Sequence, residues 1–383
     1  MPPLDGVQVL DLTHVLAGPF CAMLLGDMGA EVLKIEEPTH GDVTRAWAPF
    51  HNGWSTYFLG LNRSKKSVTL DLKSSAGATA LRSLIRESDV LLENLRPGSL
   101  ARIGFGYEDV AALNPRLVYC SITGYGQTGP KKDLPGYDAV IQGESGLMDV
   151  TGFPDGPPTR AGVAITDYLS GLYAMSGILL ALRHRDQTGE GQHVDIGLLD
   201  AMTSALSLPA LTYLNTGTTL TREGNRHHTI TPYETLEVAD GLAVVAVGSP
   251  GLWTRFCAAI EAGELERDPR FATNTERMTH RDVLRNELNR RVGSWTRDTL
   301  IGRLRAHGVP CGEVRSIGEA LAEPQLEARQ MVLDIPHAEQ GQFRTLGNPI
   351  KLSKTPAVTD GPPPALGQHT EQVLGGLNPA PDR

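Results

Sequence analysis

The sequence predicts an α/β protein, a doubly wound and mainly parallel Rossmann-like large domain followed by a smaller α+β domain. Three observations predict it. From Gly6 to Gly126 strand-like and helix-like runs alternate, the signature of βαβ units and a parallel sheet. The strand-like runs are apolar on consecutive positions, as strands covered on both faces are. After residue 205 the alternation gives way to a polar connection, a hairpin pattern and several helical patterns. The division expected is 1–205 for the large domain, 206–225 for a linker, 226–325 for the small domain, and 326–383 for a segment returning to the large domain.

The elements follow in order. "GVQVLDLT" reads as a strand. "PFCAMLLGDMG" reads as a helix with a Gly stop and Pro19 at its first position, where a missing N–H costs nothing. "EVLKIEE", "KSVTLDLK", "DVLLEN" and "LVYCSITGYG" read as strands, and "GATALRSLIRES" as a helix between the second and third of them. "LPGYDAVIQGESGLM" starts a helix near Asp138. In "GVAITDYLSGLYAMSGILLAL" a strand-like run meets a helix apolar nearly all round, which predicts burial. Asp167 stands at the junction, with no other acid, His or Lys within ten residues, and its local reading is a helix N-cap. The polar run from Thr216 to Tyr233 reads as a connection, and "ETLEVADGLAVVAVGS" as a hairpin turning at Ala239, Asp240 and Gly241. "GLWTRFCAAI", "RDVLRNELNRRVGSW" and "TRDTLIGRLRAHG" read as helices, and the tail after Leu374 as frayed.

Composition narrows the function. The chain has 383 residues, 40 % of them hydrophobic, enough for a substantial core. Its net charge of −9 and scattered Lys and Arg argue against a nucleic-acid partner, so an anion site must be a local pocket. The four cysteines, Cys21, Cys120, Cys257 and Cys311, form no CxxC pair, which predicts neither a metal centre nor a disulfide framework and fits a reducing cytoplasm. The N-terminus has no basic region followed by an apolar one, and no run of 18 apolar residues predicts a membrane span.

Several candidate sites recur at predicted strand ends. The loop around His14 and Gly18 points a helix start at the carboxyl end of the first strand, where open α/β sheets bind ligands. It is not GxGxxG, which disfavours a nicotinamide cofactor. Arg63, Lys65 and Lys66 before "SVTLDL", Lys73 after it, and Arg96 and Arg102 after "LLENL" suggest a phosphate-rich ligand along that edge. Each alone is equally an ordinary turn or a solvated charge.

Taken together, "LDLTHVLAGPF", "GAEVLKIE", the "GD" at Gly41, "NRSKKSVTLDLK", "ENLRPG", "SITGYGQTGP", "GYDAVIQGESGLM", "TGEGQHVDIGLLDA" and "ALGQHT" resemble the class III CoA-transferases, the family of formyl-CoA and carnitine CoA-transferases. Within it the chain is most similar to the branch that uses succinyl-CoA as donor and dicarboxylic acids as acceptors. The resemblance implies CoA transfer between carboxylic acids with no permanently bound cofactor, the CoA thioester being a substrate, and a homodimer of interlocked chains. It implies that Asp167 is the nucleophile, that Asp138 assists, and that His14, Val15, Ala17, Leu70, Lys73, Asn94, Leu95, Arg96 and Arg102 line the CoA cleft. Leu16, Tyr137 and Gly248 fall at acid-specificity positions. Formyl-CoA transferase has a Gln at the place of Leu16 and a run of glycines around Gly248, so formate and oxalate are disfavoured. The alternative is an α-methylacyl-CoA racemase-like isomerase. Those enzymes carry a His after the Gly that Gly136 matches, where this chain has Tyr137. A nucleotide-binding protein without chemistry is a further rival.

Overall fold

The computed structural model describes residues 1–338, 341–359 and 361–376. The chain divides into two compact units: Met1–Leu147 with Arg160–Ala210 and Pro324–Arg383, and Met148–Thr159 with Leu211–Glu323.

The first unit is built on six strands: β1 Gln8–Asp11, β2 Glu31–Glu36, β3 Lys65–Thr69, β4 Val90–Glu93, β5 Val118–Thr123 and β6 His193–Gly197. Their order is β3-β2-β1-β4-β5-β6, with every pairing parallel. Residues alternate between the two faces of a strand, and here both faces are covered. Val9, Val32, Val90, Val118 and Cys120 pack with helices α1 (Ala17–Asp27) and α5 (Ile165–Thr188). Leu10, Leu33, Val68, Leu91 and Tyr119 pack with α2 (Ser75–Glu87) and α3 (Tyr107–Leu113). Covering on both faces is why these strands read as continuous apolar runs. The chain runs outward from β1 in one direction, then restarts beside it at β4. That switch point, at the carboxyl ends of β1 and β4, is where open α/β sheets hold ligands.

The structure corrects several local expectations. Pro19 is the third residue of α1, behind Ala17 and Gly18, still among the positions whose N–H has no helical partner. The residues before α5 form bends rather than a strand. By length and composition α5 could cross a bilayer. Ala174, Ile178 and Ala181 are nonetheless buried in the core of the unit. It is not buried all round: Leu172, Tyr173, Leu179 and Leu180 are exposed, Leu180 at 72 %. Helices α4 (Asp138–Glu144) and α6 (Leu198–Ala205) complete the cover. Arg63 and Lys65 do not reach the sheet's ligand edge. Arg63 forms a two-pronged buried pair with Asp27, Lys65 pairs with Asp11, and Lys66 pairs with Glu31 near the surface.

The C-terminal segment packs in this unit. Val358 N–H donates to the Asp27 carbonyl at 2.7 Å and His369 N–H to the Ser67 carbonyl at 2.9 Å. The tail is helical over Thr370–Gly375, and residues 377–383, expected to fray, lie outside the described residues.

In the second unit β7 (Tyr233–Val238) and β8 (Gly241–Ala246) form the expected antiparallel hairpin, extended by β9 (Cys311–Glu313). Helices α7 (Pro250–Ala259), α8 (Arg281–Val292) and α9 (Arg297–Ala306) cover it through Phe256, Leu284, Leu288, Leu300 and Leu304. The stretch expected as a linker contains a helix over Ser207–Thr216 before the irregular run to β7.

Candidate active site

A cleft of about 220 Å³ opens at the switch point of the first unit. Three strand ends build it. After β1 come His14, Val15, Leu16 and Ala17; after β4 come Asn94, Leu95, Arg96 and Pro97; the end of β5 supplies Ile122, Thr123 and Gly124. Pro135, Gly136, Tyr137 and the first turn of α5, with Asp167, close it. Asp167 is the one carboxylate among the described lining residues.

The loops are clamped to one another. His14 N–H donates to Asn94 Oδ1 and Asn94 Nδ2 donates back to the His14 carbonyl, both at 2.8 Å. Leu95 N–H donates to Glu93 Oε2 at 2.8 Å, and burial pushes the Glu93 carboxyl up to about 7. Val15 lies at φ +71°, a left-handed conformation that costs a β-branched residue about 1–3 kcal/mol. Across the cleft the backbones of Gly124 and Gly136 cross so closely that a Cβ on Gly136 would meet the Gly124 Cα at 2.5 Å. Only glycine lets the Tyr137 loop approach this far.

Asp167 is the third residue of α5, not its N-cap; Ala164 holds that place without a side-chain cap. The helix start is capped from another element. Asp138, the first residue of α4, accepts from Thr166 N–H at 3.0 Å and Thr166 Oγ1 at 2.7 Å. Gln142 Nε2 also donates to Asp138 at 2.7 Å. The expectation of an N-cap carboxylate with no other acid nearby in the chain is therefore corrected, since Ala164 is the N-cap and Asp138 bonds the residue next to Asp167. Burial first, then the charge of Asp138, raise the Asp167 carboxyl from its ordinary value to about 7. Those two charges, after burial, also raise the Tyr57 phenol, which puts Tyr57 within electrostatic reach of both carboxylates. Burial holds His14 below the usual imidazole range, and its Nδ1 has no hydrogen-bond partner among the described residues.

The structure thus brings together His14, Val15, Leu16, Ala17, Asn94, Leu95, Arg96, Tyr137 and Asp167, with Asp138 beside them. It does not place every expected residue there. Leu70 is buried in the core with Leu10 and Leu33. Lys73 and Arg102 are exposed, on the turns after β3 and before α3. Gly248 belongs to the second unit, on the exposed loop between β8 and α7. Sequence reasoning did not single out Thr123 and Leu198, which line the cleft, although the family-like stretches "SITGYGQTGP" and "TGEGQHVDIGLLDA" contain them. Cys21 is fully buried and its thiol is raised by burial, so it is inert and packs as a small apolar residue.

Chemically, the arrangement offers a carboxylate raised toward neutral pH in a cleft lined by the loops after β1 and β4. The model of CoA-transferase family III matches residues 4–370. A succinate–glutarate CoA-transferase from Agrobacterium fabrum (strain C58 / ATCC 33970) is 41 % identical over 98 % of this chain and 96 % of its own. An acetyl-CoA:oxalate CoA-transferase from Acetobacter aceti is 40 % identical over 92 % of this chain and 89 % of its own. The crystal structure of a CAIB/BAIF family protein from Brucella suis superposes with a TM-score of 0.88 at 41 % identity, covering 98 % of this chain and all of that one. The chain described here is a member of CoA-transferase family III.

Proposed function

We propose that this enzyme moves CoA from succinyl-CoA to a second, dicarboxylic acid, with Asp167 as the nucleophile. One observation carries the proposal: Asp167 is the cleft's lone carboxylate among the described lining residues, made basic by burial and set opposite the His14–Ala17 loop. An Asp167 oxygen attacks the donor thioester carbon, the C–S bond breaks, and a mixed anhydride and CoA thiolate result. The thiolate attacks the Asp167 carbonyl carbon, releasing the donor acid and leaving an aspartyl thioester. The acceptor carboxylate attacks that thioester, and the thiolate then takes the acceptor acyl group and frees Asp167. Each thioester replaces another, so no ATP or redox partner enters. Leu16 and Ala17 N–H groups serve the oxyanions. Arg96 meets CoA's phosphates in the cleft, Lys73 and Arg102 do so from exposed turns outside it, and Leu16 and Tyr137 meet the acids.

A dicarboxylic acceptor is supported by the Agrobacterium relative's name and by Leu16 in place of the Gln of formyl-CoA transferase. The Acetobacter relative is named for oxalate, so acceptor length is the quantity to measure. A homodimer is supported by the exposed apolar face of α5. Cytoplasmic residence is supported by four free cysteines.

The test combines an acceptor screen with trapping. With succinyl-CoA as donor, glutarate-length acids should outrun formate and oxalate, new esters being followed by mass spectrometry. Hydroxylamine should place a hydroxamate on the Asp167 peptide only after donor is added. Asp167→Ala should lose transfer by on the order of 10³-fold or more while still binding CoA esters. Full transfer by that variant refutes the assignment, and rapid α-deuterium uptake into a 2-methylacyl-CoA favours the racemase instead.

A further inference from the structure

Two stretches, "GAEVLKIE" and the "GD" at Gly41, contribute no residue that lines the cleft, yet they hold a fully buried cluster of charges. Lys34 Nζ lies 3.0 Å from Asp42 Oδ2 and 4.0 Å from Asp11 Oδ2, with all three side chains sealed from solvent. Lys65 pairs with Asp11 at 2.9 Å. Such a cluster is costly to desolvate and is weak evidence for stability by itself. Its outward contacts are specific. Lys34 donates to the Thr13 carbonyl at 2.9 Å, and Asp42 Oδ1 accepts from Val15 N–H at 3.4 Å. Asp42 is held in turn by Thr44 N–H and Oγ1, at 2.9 and 2.8 Å, while its own N–H donates to Glu36 Oε2 at 2.9 Å. Thr13 and Val15 bracket His14, and Val15 is the residue in the left-handed region.

We propose that Asp42 and Lys34 are positioning residues for CoA transfer: gripping the backbone on both sides of His14, they hold Val15 in its left-handed conformation and so present the Leu16 and Ala17 N–H groups to the cleft. The turn needs such a grip because a β-branched residue left to itself relaxes to φ below zero. Relaxation would rotate the peptide units that follow, and α5 is close enough to be affected. A Cβ on Gly171 would meet the Ala17 carbonyl at 2.7 Å. The cluster therefore acts on rate through the loop, without touching substrate. The inference rests on the proposed transferase reading only for the identity of the reaction.

The experiment measures steady-state transfer in Asp42→Ala, Asp42→Asn and Asp42→Ala/Val15→Gly. Asp42→Ala should lower kcat on the order of 30–100-fold, the range that loss of orientation alone produces, with KM for the donor within about threefold. Asp42→Asn keeps an oxygen for Val15 N–H and should recover most of the loss. Glycine adopts positive φ without steric cost. Adding Val15→Gly should therefore restore kcat by on the order of tenfold, which relief of a purely structural defect would not do. If Asp42→Ala does not fold, Lys34→Met/Asp42→Leu, which removes both backbone grips and leaves no unpaired charge, is read with and without Val15→Gly by the same criteria. A kcat within threefold of wild type, a loss confined to KM, or a loss Val15→Gly leaves untouched overturns the inference. Wild-type transfer without an adduct on Asp167 overturns the nucleophile assignment alone, because the clamp is judged on kcat. Absence of transfer with every donor counts against both.

Discussion

Asp167 combines a destabilising position with a reactive one. Its carboxyl is raised by burial and then by Asp138, from an ordinary 3.8 to about 7. A folded-state pKa above the unfolded one adds stability that is complete below about pH 4 and is lost as pH rises through about 7. Asp167→Asn should therefore unfold at higher denaturant than wild type at pH 8, by on the order of 1–3 kcal/mol. The gap should close by pH 4, and equal stability at pH 8 would show that the carboxylate is not penalised. The same shift sets the rate profile: transfer should climb as pH rises through about 7 and then level off. Asp138→Asn keeps an acceptor for Thr166 but removes the like charge. It should move that limb to lower pH by only part of the whole shift, since burial is the larger cause. An unmoved limb would remove Asp138 from the account. The sequence marks Asp167 as a charge at a helix start. It hides the desolvation and the Asp138 cap, because both arise from residues brought together across α4 and α5.

At the scale of elements, the start of α5 is placed by contact with the backbone of α1. A methyl group at Gly171 would meet the Ala17 carbonyl at 2.7 Å and the Phe20 ring at 2.9 Å, and a backbone atom cannot swing aside. Gly171→Ala should cost about 1–3 kcal/mol in stability and also lower kcat, by lifting the Asp167 turn from the loop opposite. Unchanged kcat in a destabilised variant would uncouple the packing from the chemistry. The central strands are legible in the sequence because helices cover both faces, making them apolar throughout. β6, "HVDIG", escapes that reading because it is the edge of the sheet and only partly covered. The hairpin of Val332–His337 and Gly341–Leu346 escapes it too, since its residues alternate with charge and Pro336 interrupts the pattern.

For the whole molecule, two features extend beyond any local segment. The buried pair of Asp27 and Arg63 gathers distant pieces of the first unit: Arg63 also donates to the Leu346 carbonyl, and Asn348 to Asp27. The exposed apolar face of α5, with Leu172, Tyr173, Leu179 and Leu180, is the surface the proposed homodimer would cover. Leu180→Glu should then shift the protein from dimer to monomer in sedimentation velocity, without a loss of helical signal. A dimer unchanged at micromolar concentration would remove α5 from the interface.

The sequence by itself determined the alternating α/β architecture, the family, the loops that reach the cleft and the carboxylate within it, because periodicity, turn residues and short motifs are local properties. Only the tertiary structure decided that Arg63 and Lys65 are internal partners rather than ligand contacts, and that Leu70 is core. It alone showed that Asp138 caps the helix of Asp167, and that Lys34 and Asp42 hydrogen-bond the backbone on either side of His14. Each of these depends on which charge lies beside which in a medium without water, and segments far apart in the chain meet only when the sheet is assembled.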